Sequence, residues 1–180
     1  MFPKIFSFAS INIDEVYSVP HIVRPGETLS STKRQQNAGG KGANASVAAA
    51  RGGGNVFVVG KVGQDGRWVR DLIGSSGANI DHVAVIPDES TGRAVIQVDA
   101  QGENSIVLFP GANHRMTELD ARRAFAQSSP GDWLLLTNET TAVAEAIRVA
   151  QSRGMRVLWN PAPMADDMVS QGQPVDLVDV

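Results

Sequence analysis

Short apolar runs separated by stretches of helical spacing constrain this chain more than any other feature. Lys4 to Ile11 carries Ile5, Phe6, Phe8 and Ile11, and Asn55-Val56-Phe57-Val58-Val59 forms a second run. Trp133-Leu134-Leu135-Leu136 and Arg156-Val157-Leu158-Trp159 are two more. Runs this short and apolar read as strands buried on both faces. Between them lie an Ala-rich segment (Ala45 to Ala50), Trp68/Val69/Leu72/Ile73 at helical spacing, and helices expected from Thr117 through Gln127 and from Ala142 to Ser152. Thr117 followed by Asp120 reads as a capping box with Asp in place of Glu. Gly52-Gly53-Gly54 and Gly154 punctuate helix ends. His82 to Ile86 and Val175 to Val180 add further strands. Alternating strands and helices predict an α/β fold, a doubly wound and mostly parallel sheet covered on both faces. At 180 residues the chain is long enough for one domain with a real core.

Two segments break the alternation. Val16 to Val23 and Thr28 to Asn37 flank Arg24-Pro25-Gly26-Glu27, where Pro-Gly signals a turn. Thr91 to Asp99 and Asn104 to Phe109 flank Ala100-Gln101-Gly102-Glu103. The second arm of the first pair is too polar for a core strand. Hairpins lying over the main body, wet on one side, explain both segments, 16–37 and 91–109.

The chemistry gathers at Asn37-Ala38-Gly39-Gly40-Lys41-Gly42-Ala43-Asn44, which runs straight into the Ala-rich helix. Closely spaced glycines let backbone approach a ligand, and a helix N-terminus presents unpaired N–H groups. Gly40 to Ala45 also fits the dinucleotide pattern G-x-G-x-x-A. The preceding segment, Ser30 to Gln36, is too polar for a buried parallel strand, and no acid stands after the next strand for a ribose hydroxyl. A dinucleotide-binding oxidoreductase is therefore disfavoured, and no P-loop motif exists.

Ligands of such sheets bind beyond the carboxyl ends of the strands. Asn12 and Asp14 follow the first run, Glu139 the Trp133 run and Asn160 the Arg156 run; the glycine loop falls on the same edge. In extended chain Asn12 and Asp14 share a face. Each has a plain structural alternative: Asp14 as a turn residue, Glu139 as a helix N-terminal acid, Asn160 as a residue restricted by Pro161. Their joint place on one rim favours a site.

Composition excludes several classes. Net charge is -3 without a basic run, so nucleic acid and acidic membrane surfaces are poor partners. No cysteine is present, which removes disulfides and thiolate metal sites. His21, His82 and His114 lack ligand spacing. No apolar stretch has bilayer length, and cytoplasm is the expected location.

Several segments together resemble the ribokinase branch of the PfkB carbohydrate kinase family. They are Ser10-Ile11-Asn12-Ile13-Asp14, Pro25-Gly26-Glu27-Thr28, Gly39-Gly40-Lys41-Gly42-Ala43-Asn44, Gly60 to Gly66, Ser90-Thr91-Gly92, Gly102-Glu103-Asn104, Gly111-Ala112-Asn113, Asn138-Glu139 and Asn160-Pro161-Ala162-Pro163. The resemblance implies a ribokinase-like fold with the two hairpins as a β lid. It implies sugar binding by Asn12, Asp14, Gly40, Lys41, Asn44 and Glu139, ATP and Mg²⁺ with a monovalent cation as cofactors, ribose as substrate, and a homodimer through the lid. The family's Gly-Ala-Gly-Asp run, whose Asp is the catalytic base, and its Asn-x-x-Glu segment do not occur in these residues. The base is expected beyond Val180, with residues 1–180 as the N-terminal, sugar-binding part of a single domain and no turnover by these residues alone. Two alternatives stand beside this reading: a non-catalytic sugar-binding or dimerisation fragment, and a related kinase for fructose, a nucleoside or ketodeoxygluconate.

Overall fold

A computed structural model describes residues 2–163; the strand expected over Val175–Val180 lies outside the described residues. In chain order these form β1 (Lys4–Phe8), β2 (Asn12–Ser18), β3 (Lys33–Gly39), α1 (Lys41–Arg51), β4 (Asn55–Gly63), α2 (Arg67–Ser75), β5 (Asn79–Ile86), β6 (Gly92–Val98), β7 (Asn104–Phe109), α3 (Glu118–Phe125), β8 (Trp133–Thr137), α4 (Val143–Ser152) and β9 (Arg156–Asn160). Short 3-10 turns occupy Gln64–Gly66 and Gly111–Arg115.

The main sheet has the order β5-β4-β1-β8-β9, and every neighbouring pair is parallel. Alternate side chains of its strands feed opposite faces. Val56 and Val58 of β4 pack with Ala43 of α1 and Val69 and Ile73 of α2. Phe6, Phe8, Leu134 and Leu136 pack on the other face with Phe125 of α3 and Ile147 of α4. Phe6 stacks on Phe57 at 5.2 Å and meets Phe125 edge-on at 5.6 Å, contacts worth about 0.5–1.5 kcal/mol each beyond their buried area. This is the doubly wound core that the alternation predicts. In α2 only Val69 and Ile73 are buried, while Trp68 and Leu72 stand 42% and 49% exposed, so a single i, i+4 stripe faces the sheet. The Asp120 carboxylate takes the Thr117 N–H at 2.8 Å, the half of a capping box that an acid supplies.

The second sheet has the order β3-β2-β6-β7. β2 with β3 and β6 with β7 are antiparallel, as two hairpins require. The structure differs from two separate hairpins in that β2 and β6 pair in parallel, joining them into one lid. The first hairpin is also shorter than expected, because β2 ends at Ser18 and β3 begins at Lys33. The run Lys4–Ile11 is not one strand. β1 stops at Phe8, and Ala9–Ile11 crosses between the sheets under the start of α1, where the Ala43 N–H donates to the Ser10 carbonyl at 2.9 Å. Asn12 and Asp14 therefore lie within β2 of the lid, not in a loop beyond β1.

Candidate sugar site

Neighbouring strands β1 and β8 send the chain to helices on opposite faces of the sheet, α1 and α4. A crevice opens at such a switch point, beyond the carboxyl ends of the strands. A cavity of about 280 Å³ occupies it, lined by Asn12, Asp14, Gly40, Lys41, Asn44 and Glu139, with Ala94, Ile96, Ile106 and Leu108 of the lid above. All six residues singled out from the sequence thus meet at one place. Asn160 ends β9 without lining this cavity. A second space of about 260 Å³ adjoins it, sharing Asn12, Leu108 and Glu139 and reaching Asn113, His114 and Asn138.

Asn12 and Asp14 share one face of β2, as their spacing predicts. Asn12 is buried and its Oδ1 accepts from Asn113 Nδ2 at 2.7 Å. The same Asn113 accepts the Ile11 N–H at 2.9 Å, so one side chain from the turn after β7 fixes the crossing into β2. Among the described residues Asp14 makes no side-chain hydrogen bond; its carboxylate lies against Gly39 and lines the cavity. Burial raises its pKa, the negative Glu139 raises it further, and Lys41 acts in the opposite sense.

The glycines of the loop also admit the protein's own atoms, while Gly40 lines the cavity. A β-carbon on Gly39 would land on the Asp14 carboxylate, and one on Gly42 would lie 2.5 Å from the Ala9 α-carbon. Gly40 holds φ at +93°, a left-handed geometry that favours glycine, and its missing β-carbon would sit 2.5 Å from the Ser10 carbonyl. The first N–H groups of α1 are likewise taken internally. Lys41 N–H donates to Glu139 Oε2 at 3.2 Å, Gly42 N–H to Ser10 Oγ at 3.2 Å and Ala43 N–H to the Ser10 carbonyl. The anion at this helix N-terminus is Glu139 itself.

Glu139 Oε2 also accepts the Ser10 hydroxyl at 2.6 Å, and its Oε1 pairs with Lys41 Nζ. Burial pushes the Glu139 pKa up, but Lys41, Ser10 and the Lys41 N–H together hold it below the usual value. A carboxylate has about four acceptor positions. Three are used here, so Glu139 orients Lys41 and keeps one position for a ligand. Asn44 lies three residues after Lys41, on the same helix face, with its amide exposed in the cavity. Ser10 and Asn113 were not singled out from the sequence as site residues. Their signal was their place in Ser10-Ile11-Asn12 and Gly111-Ala112-Asn113, but what they hold appears only once the chain is folded.

Chemically the cavity offers an open carboxylate, a lysine ammonium and two amides under an apolar roof. Hydroxyl groups both donate and accept, and this set meets them on both counts. Among the described residues no group of three or more His, Asp or Glu is placed to hold a metal ion. Nor is any described helix long and apolar enough to cross a membrane.

Fold and site together define a class: α/β proteins with a lidded cleft at the switch point of a parallel sheet. More narrowly, the chain belongs to the pfkB family carbohydrate kinases, whose model matches residues 3–178. It is 40% identical over 168 residues to a ribokinase of Haemophilus influenzae, covering 89% of this chain and 55% of the relative. The fold superposes on the crystal structure of a Cryptococcus neoformans ribokinase in complex with ADP at a TM-score of 0.85 and 39% identity, covering 99% of this chain and 57% of that one. It matches an Arabidopsis thaliana ribokinase complexed with ribose and ATP at 0.76 and 27% identity, covering 91% and 55%. The fold is ribokinase-like, and the chain spans about half the length of these relatives.

Proposed function

We propose that these residues form the sugar-binding part of an ATP-dependent ribokinase, which phosphorylates D-ribose at its primary hydroxyl. The observation that carries this reading is the single cavity lined by Asn12, Asp14, Gly40, Lys41, Asn44 and Glu139. Asp14 accepts two sugar hydroxyls, because its oxygens have no protein partner among the described residues and its carboxylate tolerates two donors. Lys41, held by Glu139, and Asn44 donate to further sugar oxygens. Ala94, Ile96, Ile106 and Leu108 cover the apolar side of the ring and exclude water. Supporting this choice of sugar, the Arabidopsis relative bears ribose in its described complex.

ATP supplies the phosphoryl group, with Mg²⁺ and a monovalent cation to offset its charge. The part of the residues lining the cavity is to bind and orient the sugar. Asp14 and Glu139 are committed to hydroxyls and to Lys41, and the base that takes the hydroxyl proton is neither of them. The lid serves a second purpose as the contact between two copies in a cytoplasmic homodimer. A phosphorylation assay of a full-length kinase that carries these residues, with ATP and a panel of D-ribose, 2-deoxyribose, fructose, ketodeoxygluconate and nucleosides, tests the reading, while residues 1–180 alone are expected to give no turnover. The expected result is the highest kcat/KM for D-ribose; preference for a nucleoside or for fructose reassigns the substrate.

A further inference from the structure

Two clamps tie the lid to the body. Asn113 is the first. The second stands in the turn Gly63-Gln64-Asp65-Gly66 after β4, on the lid's outer side. Asp65 Oδ1 accepts the Thr91 N–H at 3.0 Å and the Thr91 hydroxyl at 2.7 Å. Thr91 is fully buried, and its Oγ1 accepts the Gly63 N–H at 2.9 Å. A β-carbon on Gly66 would strike the Thr91 side chain, so the turn is packed on the start of β6 without slack. Asp65 Oδ2 accepts from Arg93 at 2.7 Å, and the other arm of Arg93 donates to Glu15 Oε1 at 2.6 Å. Glu15 follows Asp14 in β2 and points to the opposite face. The link therefore runs from the body, through β6, to the residue that backs Asp14.

Asp14 has no side-chain tether of its own among the described residues. Its position is set by its strand, which is paired to β3 and β6 and tied to the body by the two clamps. We propose that Asp65 and Arg93 are positioning residues, whose link fixes the tilt of the lid and thereby holds Asp14 over the cavity opposite Lys41. The proposal rests on the sugar-site reading above.

Calorimetric titration of the protein with D-ribose tests it, using wild type, Asp65→Asn, Arg93→Gln, Arg93→Lys and the double variant Asp65→Asn/Arg93→Gln. Each neutral variant is expected to weaken binding by roughly tenfold, and the double by no more than the worse single, because one link is broken in each. Arg93→Lys recovers part of the loss, since an ammonium keeps the charge but not the two-armed fork. Wild-type affinity in the single variants, or losses that multiply in the double, would overturn the proposal. If Asp65→Asn does not fold, the test passes to position 93 alone. Affinity must then fall from wild type to Arg93→Lys to Arg93→Gln, and any other order overturns the proposal. Asp14→Ala in the same series separates the two readings. Unchanged affinity there sinks the sugar site itself. Lost affinity there, with Asp65 and Arg93 variants binding like wild type, sinks only the positioning role.

Discussion

Asp14 and Glu139 share one cavity and respond to pH in opposite senses. The folded-state pKa of Asp14 lies above its ordinary value, chiefly through burial. Between the two values the folded protein holds more protons than the unfolded chain, so stability from this group falls as pH rises through that window. At neutral pH ionised Asp14 weakens the ligand-free fold. Glu139 has a depressed folded-state pKa, so its contribution is present above the unfolded value and is lost as pH falls through the folded one. Asp14→Asn is therefore expected to raise Tm without sugar and to abolish the further rise that D-ribose gives wild type. A saturating ligand at a hundred times its Kd adds about 2.7 kcal/mol, enough to read in a thermal scan. A sugar-free Tm below wild type at pH 7 contradicts this assignment of Asp14. That Asp14, Lys41 and Glu139 meet on one rim was legible in the sequence, because strand ends and the glycine loop fall on one edge of such a sheet; Glu139 also takes the helix N-terminal place its sequence allowed. The internal contacts of the glycines were not legible, since what a missing β-carbon makes room for is set by distant residues such as Ser10 and Asp14.

At the scale of elements, the lid strands were readable from their turns, because Pro-Gly and Gln-Gly mark chain reversals locally. The parallel pairing of β2 with β6 was not, because it joins segments far apart in sequence and neither strand encodes its partner. The same limit hid the crossing at Ala9–Ile11, where apolar residues continue although the strand has ended. The lid's margin carries a prediction. β7 is an edge strand of its sheet, and Val107 and Phe109 stand 66% and 50% exposed on one face while Ile106 and Leu108 are exposed on the other. An apolar edge of this kind invites association. We expect the lids of two copies to pack together, giving a dimer in sedimentation velocity. A single species at monomer mass across the micromolar range would rule out lid-mediated pairing.

Over the whole molecule, the alternation of apolar runs and helical spacing determines the fold class but not the strand order. The order β5-β4-β1-β8-β9 appears only in the folded chain; it makes β1 and β8 neighbours of opposite winding, and the crevice between them follows. The six cavity residues reach this crevice by three routes: Asn12 and Asp14 through the lid, Gly40, Lys41 and Asn44 through the start of α1, Glu139 through the end of β8. Whether a sugar is held at this meeting place is read by calorimetric titration of D-ribose into wild type and Asp14→Ala. Hydrogen bonds to a charged acceptor contribute about 1.5–3 kcal/mol each, so losing even one corresponds to at least roughly tenfold in affinity. Saturable binding to wild type, with a loss of that size or greater in a folded Asp14→Ala protein, is the expected result; equal affinity in the two proteins would contradict it.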